Sequence, residues 1–269
     1  MSDAMRTDWL GAEFDGVKLR LWVDGALSQR IVAGSPEQVL QTMLADLPVT
    51  DRPLLRSGWP DAALTPVPSA VAVAADQGRM PGLSQAAPAD LMRHQPGRIR
   101  GFLTTRPDFD GVLCLIGHST VWAHLSAGEV VSFRSFISAE LFSMIRSFDA
   151  LPAPADPADD GFAQALNHAM SRPAGLAADL AGLRAQVTLG QSDKAQAASR
   201  LAGLLIGAEL AAARPYWLGQ EVVVIGDGQW DAHYLAALAS QGLSAAQADG
   251  VEMARAGLQD LWQMMQAKG

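Results

Sequence analysis

The chain has 269 residues, of which 49% are hydrophobic, and a formal net charge of −8. This length allows one large core or two modest ones. The acidic balance argues against nucleic acid or an anionic membrane as the main partner, because both are bound through a basic face. A single cysteine, Cys114, excludes an intrachain disulfide framework and a cysteine-only zinc cluster. Since Cys114 stands in an apolar run, we expect it to pack as a small hydrophobic residue.

No membrane-spanning or secretion signal is visible in the sequence. No run reaches the roughly 18 apolar residues of a membrane span, and residues 1–8 lack a basic-then-apolar signal pattern. We therefore expect a cytoplasmic protein that does not bind membranes.

Two distant stretches share one pattern of strands and turns. The first covers residues 9–32 and the second residues 112–133. Each reads as an apolar strand, a short polar turn, a strand with a tryptophan, a glycine turn and a third strand. Two-lobed phosphotransferases use such units, one in each lobe, to hold nucleotide phosphates. The duplication therefore predicts a kinase-like fold.

The remaining elements change in character along the chain. Residues 9–105 mix strand-like runs with loops rich in proline and glycine, and apolar spacing predicts a helix over residues 36–47. Residues 221–225 read as a buried parallel strand. The second half is mostly helical, with Ser138 as a plausible N-cap and a proline-rich loop over residues 151–159. Helices are predicted over residues 138–148, 161–171, 175–189, 192–214, 232–242 and 244–267, with breaks at Pro173 and Pro215.

Several ordered runs carry a family resemblance that covers nearly the whole chain. Residues 133–141 read F-R-S-F-I-S-A-E-L, similar to a family run F-R-T-x-M-T-G-E-L, and residues 201–209 read L-A-G-L-L-I-G-A-E, close to the same family's wording. The chain resembles the 2-dehydro-3-deoxygalactonate kinases, sugar-acid kinases of the actin, hexokinase and Hsp70 superfamily. Supporting matches are Ser57-Gly58-Trp59, Met80-Pro81-Gly82-Leu83, Met92-Arg93, Asp160-Gly161-Phe162, and Gly226 with Tyr234.

The resemblance implies an α/β fold of the two-lobed actin/hexokinase-like (ribonuclease H-like) class, each lobe a mixed sheet flanked by helices. It places an N-terminal lobe at residues 1–107 and a C-terminal lobe at residues 108–269, the last helix packing back on the first lobe. It also implies ATP and Mg²⁺ as cofactors, and a nucleotide and a small sugar acid as binding partners. The oligomeric state is left open, a homodimer being one option.

The first turn departs from the family pattern. Residues 13–20 read E-F-D-G-V-K-L-R where the family has D-W-G-T/S-x-N-L-R. The resemblance gives Glu13 a catalytic role through Mg²⁺, and places Asp15 and Gly16 beside the phosphates. Alternatively, Glu13 is a solvated turn residue and Asp15-Gly16 an ordinary hairpin turn. Asp15 adds a negative charge that should repel phosphate unless a cation intervenes.

Two other runs also differ from the family. Residues 117–122 read G-H-S-T-V-W for the family's G-T-H-S-K-W, and residues 92–98 read M-R-H-Q-P-G-R for M-R-G-E-E-T-Q. The first change removes a lysine and the second an acidic pair. The second turn nevertheless offers hydrogen-bonding groups to phosphate, and the loop after the last strand offers glycines to adenosine. These predicted nucleotide-binding residues are Gly117, His118, Ser119, Thr120, Gly226, Asp227 and Gly228.

The substrate and the base are assigned by resemblance and by chemistry. Arg134 can clamp a sugar-acid carboxylate with two hydrogen bonds, and Asp160 can take the proton of the substrate hydroxyl. Simpler roles are an N-cap for Asp160 and a helix-dipole contact for Glu140. The predicted substrate-binding residues are Arg20, Arg93, Arg134, Ser138 and Glu140.

Three functions remain open from the sequence. The first is an ATP- and Mg²⁺-dependent kinase acting on 2-dehydro-3-deoxygalactonate or a related 2-keto-3-deoxy sugar acid. The second is a catalytically impaired relative that binds or senses a sugar acid. The third is transfer to another substrate with rebuilt turns. Changes at Asp15, Val17 and Val121 favour the second, whereas Glu13 and Arg134 favour the first.

Overall fold

The computed structural model describes residues 8–45, 47, 52–71, 78–154, 157–228 and 230–267. The strands are β1 (Leu10–Phe14), β2 (Lys18–Val23), β3 (Ala26–Ile31), β4 (Leu54–Ser57), β5 (Leu64–Pro66), β6 (Ser69–Ala70), β7 (Gly82–Ala86), β8 (Ala89–Met92), β9 (Gly111–Leu115), β10 (Thr120–Ser126), β11 (Glu129–Phe136), β12 (Val222–Gly226) and β13 (Ala246–Asp249). The helices are α1 (Pro36–Leu44), α2 (Gln95–Thr105), α3 (Ser138–Asp149), α4 (Asp160–Ser171), α5 (Leu176–Thr188), α6 (Lys194–Ala212), α7 (Arg214–Trp217), α8 (Asp231–Ser240) and α9 (Gly250–Gln266).

The duplicated pattern folds into two equivalent strand arrangements. One sheet has the order β3-β2-β1-β4, and the other contains β11-β10-β9-β12 within the order β13-β12-β9-β10-β11-β6. In each sheet, the first strand of the repeated unit pairs in parallel with a strand from later in the chain: β4 beside β1, and β12 beside β9. The duplication predicted from the sequence is therefore present in the structure.

The glycine turns of the two copies have the same backbone conformation. Asp24 and Gly25 have φ values of 51° and 79°, and Ala127 and Gly128 have values of 51° and 78°. Two successive residues with positive φ are typical of the type I′ turn, whose twist matches that of the flanking strands. This turn sets the register between the second and third strands of each copy.

Two compact units divide the chain. The first comprises Met1–Gly111, Ala123–Phe133 and Ala248–Gly269, and the second Val112–Trp122 and Arg134–Gln247. The predicted division into lobes at residues 107 and 108 stays a prediction. In the second unit, Cys114 is fully buried beside α6, as expected for a small hydrophobic residue. None of the helices in the described ranges is long and apolar enough to cross a membrane.

In the first unit, helix α2 packs closely on α9. A Cβ atom on Gly101 would collide with the carbonyl oxygen of Met253, and one on Gly257 would collide with that of Gly97. Small residues at these positions let the two helix backbones approach each other. The sequence did not predict α2, because Pro96, Gly97 and Gly101 suggest a loop. Pro96 stands in the first turn of the helix, where a missing N–H has no cost.

The other helical predictions need only local corrections. Strand β13 occupies the start of the segment predicted as one helix over residues 244–267, and Asp249 caps α9 by accepting from two backbone N–H groups. Pro215 is the second residue of the short helix α7 rather than only the end of α6. The predicted helix over residues 36–47 ends at Leu44, and residue 46 lies outside the described residues.

We expect Gly257→Ala to lower the free energy of unfolding by about 1–3 kcal/mol, since the new methyl group would force α2 and α9 apart. The matched control is Gly182→Ala in α5, where a Cβ meets no atom within 4 Å. That change should raise stability by up to about 1 kcal/mol through helix propensity. Urea unfolding of both variants measures the difference. Equal effects would show that the glycine contact does not limit the approach of the helices.

Candidate functional site

The first turn, residues 15–17, connects β1 to β2 and folds around the Asp15 carboxylate. Asp15 Oδ1 accepts the backbone N–H of Val17 at 2.9 Å and that of Lys18 at 2.7 Å. Gly16 has a φ of 98°, a value that glycine adopts without strain. The predicted hairpin turn is present, and its shape is explained without a ligand. The nucleotide contacts predicted for Asp15 and Gly16 stay predictions.

Glu13 is fully buried in β1, and arginine side chains donate to both of its carboxylate oxygens. Oε1 accepts from Arg98 Nε at 2.8 Å, and Oε2 accepts from Arg98 Nη2 at 3.1 Å and from Arg20 Nη1 at 2.9 Å. Arg20 Nη1 also donates to Asp15 Oδ2 at 2.8 Å. Arg20 therefore supplies the cation that the negative charge of Asp15 calls for.

These four charged residues and the buried His94 form what we call the first-turn cluster. Burial tends to raise the pKa of Glu13, but the charges and hydrogen bonds of Arg98, together with Arg20, hold it below its ordinary value. Burial also raises the pKa of Asp15, and hydrogen bonds from the turn backbone with the charge of Arg20 outweigh it. Burial and the charge of Arg98 lower the pKa of His94 to about 4. Near neutral pH, two carboxylates thus face two guanidiniums beside a neutral imidazole.

The second turn, residues 117–119, lies at the carboxyl end of β9. Because β9 pairs in parallel with β12, with Leu115 opposite Ile225, this turn and the loop after β12 lie at the same edge of the sheet. The backbone N–H of Ile116 continues the pairing to the carbonyl of Ile225 at 2.8 Å. The carboxyl ends of parallel strands are where α/β folds bind nucleotides. The structure thus brings the second-turn residues predicted for phosphate to the same sheet edge as the residues predicted for adenosine.

The loop after β12 is shaped by the buried carboxylate of Asp231. A Cβ on Gly226 would collide with this carboxylate, so the close approach requires glycine. Asp231 Oδ2 accepts the backbone N–H of Gly228 and the side-chain amide of Gln247, each at 3.2 Å. Asp227 and Gly228 are exposed between these anchors, and Gly228 has a φ of 123°. The exposed backbone of the loop is therefore fixed from beneath.

A buried network joins the second turn to the helical core of the same unit. Glu209 in α6 accepts from Trp122 Nε1 at 2.9 Å and from the hydroxyl of Tyr234 at 2.8 Å. The Tyr234 hydroxyl lies 2.9 Å from that of Thr120, at the end of the turn. Ser138 also donates to Glu209. The glutamate thus fixes β10, α3 and α8 relative to one another.

The protonation of Glu209 decides the direction of these hydrogen bonds. Burial raises its pKa to about 7 against the opposing hydrogen bonds from Ser138, Trp122 and Tyr234. When Glu209 is charged, Tyr234 must donate to it, and Thr120 then donates to Tyr234. When Glu209 is protonated it can donate to Tyr234, which leaves the Thr120 hydroxyl as an acceptor in this contact.

The residues predicted to bind substrate lie in different surroundings. Arg20 belongs to the first-turn cluster, and Arg93 Nη1 donates to the carbonyls of Trp59 and Ala62, each at 3.3 Å. Arg134 is exposed in β11. Its guanidinium is in a position to meet a solute, whereas that of Arg20 is committed to carboxylates of the protein.

Helices α3 and α4 require two corrections. Ser138 is the first residue of α3 and not its N-cap, which is Ile137; its hydroxyl serves Glu209 instead. Likewise, Asp159 caps α4 by accepting from the Gly161 N–H at 2.7 Å, so Asp160 is exposed and free of the capping role.

Glu140, in the first turn of α3, lies close to a residue of the second turn. Its Oε2 is 3.5 Å from Nε2 of His118, so the structure brings together two of the predicted site residues. Both side chains are partly exposed. The ligand roles predicted for Arg93, Arg134, Ser138, Glu140 and Asp160 stay predictions.

Sequence reasoning missed the residues that hold the two turns in place. The signals were weak but present: Glu209 is an acid that ends an apolar helical run, and Arg98 is a cation in a segment for which no helix was predicted. Neither pattern indicates a partner by itself, because the contacts join residues far apart in the chain. The unpredicted residues are His94, Arg98, Trp122, Glu209, Asp231 and Tyr234.

Within the part of the chain that the structure describes, the predicted site residues form no ready metal site, and none of them lines the cavity among α4, α5 and α6. Within the described ranges, no three His, Cys, Asp or Glu residues are grouped so that they could hold a metal ion. A cavity of about 390 Å³ lies among α4, α5 and α6, and its walls contain none of the predicted site residues. The candidate nucleotide site therefore rests on the second turn and the loop after β12 rather than on this cavity.

We expect Glu209→Gln to remove the contribution of Glu209 to the pH dependence of stability. The folded pKa of Glu209, about 7, lies above its ordinary value of 4.5, so its contribution is complete below pH 4.5 and is lost as the pH rises through 7. Glutamine resembles the protonated acid and does not titrate. As the pH rises from 4.5 to 7, the free energy of unfolding of the variant should therefore increase by about 3 kcal/mol relative to that of the wild type. Urea unfolding at several pH values measures this gain, with exposed Glu252→Gln as the control. Parallel curves for wild type and Glu209→Gln would contradict the raised pKa.

Comparison with known proteins agrees with this geometry. A protein of Rhizobium meliloti (strain 1021), provisionally named a 2-dehydro-3-deoxygalactonokinase, is 29% identical over 76% of this chain and 73% of its own length. The 2-dehydro-3-deoxygalactonokinase of Escherichia coli (strain K12) is 23% identical over 96% of this chain and 98% of its own. These relatives confirm the resemblance predicted from the sequence.

A solved structure also matches along nearly the whole chain. A crystal structure from Sinorhizobium meliloti, under a provisional 2-dehydro-3-deoxygalactonokinase name, superposes with a TM-score of 0.83 at 26% identity, covering 95% of this chain and 96% of its own. The predicted α/β kinase-like fold class is thereby confirmed. The 2-keto-3-deoxy-galactonokinase family model matches residues 54–261, and the chain therefore belongs to this family of sugar-acid kinases.

Proposed function

We propose that the protein phosphorylates 2-dehydro-3-deoxygalactonate, or a closely related 2-keto-3-deoxy sugar acid, with ATP as donor. The main support is that the second turn and the loop after β12 lie at the same edge of the sheet. The chain also belongs to a family of sugar-acid kinases. We further propose that Mg²⁺ accompanies ATP as a phosphate chelate. The cytoplasmic location and the homodimer stay predictions.

The arrangement supports nucleotide binding by the second unit. Residues 117–119 present a partly exposed backbone and the side chains of His118 and Ser119. Beside them, Gly226 and Gly228 form a narrow strand-to-helix connection held by Asp231. Backbone N–H groups in such turns bind phosphate oxygens, and glycine allows a close approach. Catalysis of phosphoryl transfer depends mainly on positioning and charge stabilisation, which a fixed turn supplies.

On this proposal, the sugar acid contributes a carboxylate and a hydroxyl. Exposed Arg134 is the candidate clamp for the carboxylate, because a guanidinium matches it with two charge-assisted hydrogen bonds. Exposed Asp160 is the candidate base for the hydroxyl that receives the phosphoryl group. Both side chains are exposed, and Asp159 rather than Asp160 caps α4.

The proposal is tested by incubating the purified protein with Mg·ATP and 2-dehydro-3-deoxygalactonate. We expect ADP release that depends on the sugar acid, together with a phosphate ester detected by phosphorus NMR. The matched variant Asp160→Asn should lower the rate of transfer while leaving nucleotide binding intact. Sugar-acid binding without ADP release would instead favour the sensing alternative, which the comparisons do not support. Absence of both activities would refute the proposal.

We expect Arg134→Ala to weaken sugar-acid binding by about 1.5–3 kcal/mol, because a charge-assisted hydrogen bond is lost. Calorimetric titration with the sugar acid measures the effect. The matched control is Arg30→Ala, which removes another exposed strand arginine, in β3. If the affinity does not change in Arg134→Ala, another group binds the carboxylate.

A further inference from the structure

In the first-turn cluster, the carboxylate oxygens that a metal ion would need already accept hydrogen bonds from the protein. Glu13 accepts three hydrogen bonds from Arg98 and Arg20, between 2.8 and 3.1 Å, and both of its oxygens are engaged. Asp15 Oδ1 accepts two backbone N–H groups, and its Oδ2 accepts from Arg20. No carboxylate oxygen of the turn is therefore without a donor. A divalent ion would have to compete with these donors for the same oxygens.

Charge leads to the same conclusion as geometry. In the cluster, the charges of Glu13 and Asp15 are balanced by those of Arg20 and Arg98. Mg²⁺ sites are built with an excess of negative oxygen ligands. Here an ion would bring two positive charges next to two guanidiniums in a buried place, where the repulsion is weakly screened. Mg²⁺ therefore does not fit the residues present.

Arg98 is the residue that completes this balance. It makes a two-pronged contact with Glu13 and is 1% exposed. In the family run compared above, the position of Arg98 carries glutamine, which is neutral. A neutral residue there would leave Glu13 with Arg20 alone and the cluster with excess negative charge.

We infer that the first turn of this protein takes up no divalent cation, and that the Arg98 guanidinium holds the place of one beside Glu13. The metal role predicted for Glu13 is replaced by a structural ion pair within the protein. This inference rests on the proposed function only in treating the turn as a phosphate turn. It implies that any Mg²⁺ in the reaction is bound by nucleotide phosphates without a carboxylate of this turn.

Titration with MnCl₂ alone tests the inference, with free Mn²⁺ measured by electron paramagnetic resonance. We expect the wild type to bind no Mn²⁺ at this turn below about 1 mM, a range typical of weak carboxylate sites. Arg98→Gln should bind Mn²⁺ at least tenfold more tightly than the wild type, because it releases Glu13. Arg98→Lys, which keeps the charge, is the matched control and should behave like the wild type. The double variant Glu13→Gln/Arg98→Gln should lose the gained site.

Two outcomes would overturn the inference. One is tight Mn²⁺ binding to the wild type that Glu13→Gln abolishes; the other is equally weak binding by wild type and a folded Arg98→Gln. If Arg98→Gln does not fold, the titrations of the wild type and of Arg98→Lys test the inference. Tight Mn²⁺ binding by either protein would contradict it, because both keep a cationic side chain beside Glu13. Because nucleotide and sugar acid are absent from these titrations, a failure of the proposed kinase activity does not affect them. Conversely, an active kinase with Mn²⁺ on Glu13 would refute only the inference.

Discussion

Parallel pairing between the first strand of each repeated unit and a later strand is the constraint on which the candidate site depends. In the second unit, β12 lies beside β9 in parallel, so the polypeptide leaves both strands at the same edge. Residues 117–119 and Gly226 lie at this edge although helices α3 to α7 separate them in the chain. The first unit repeats the arrangement with β1 and β4. A hairpin alone would have placed only one turn at that edge.

The two units treat their buried glutamates in opposite ways. Glu13 and Glu209 are both fully enclosed, so desolvation favours the protonated form of each. Glu13 faces two guanidiniums, which lower its pKa, whereas Glu209 receives hydrogen bonds from the neutral groups of Trp122, Tyr234 and Ser138. Neutral donors stabilise a carboxylate less than a full positive charge does. The partner, and not the depth of burial, therefore decides whether a buried acid stays ionised.

Local patterns in the sequence predicted most of the fold, because the strands and turns of each repeated unit can be identified from a few neighbouring residues. Alternating apolar residues, the Asp24-Gly25 pair and the valine run at residues 222–224 all act locally. Helix α2 was missed because Gly97 and Gly101 allow the close approach of α9, and this packing is not visible in the local sequence. Local residue types are therefore a poor guide where distant backbones come into contact.

The two turns of the candidate site were predictable in their positions but not in their electrostatics. The turns at Asp15 and His118 were correctly placed, since glycine and polar residues between apolar strands mark a turn. That Arg98 would neutralise Glu13 depended on a contact between residues 85 positions apart, across two elements. The departure from the family pattern at Asp15 showed that the charge balance of the first turn had changed. It did not show that Arg20 would take up the added charge.

The opposite pKa shifts of two buried groups, His94 and Glu209, explain how buried titrating groups can leave stability almost independent of pH. His94 has a folded pKa of about 4 against an ordinary value of 6.5. The folded state therefore favours neutral His94, and its contribution to stability falls as the pH drops from 6.5 towards 4. Glu209 acts in the opposite direction as the pH rises from 4.5 to about 7. Between pH 4.5 and 6.5, unfolding is accompanied by proton uptake at His94 and proton release at Glu209. The two groups therefore change the free energy of unfolding with pH in opposite directions. A flat profile in the wild type would thus hide two strongly shifted groups, and removing either one exposes the slope of the other.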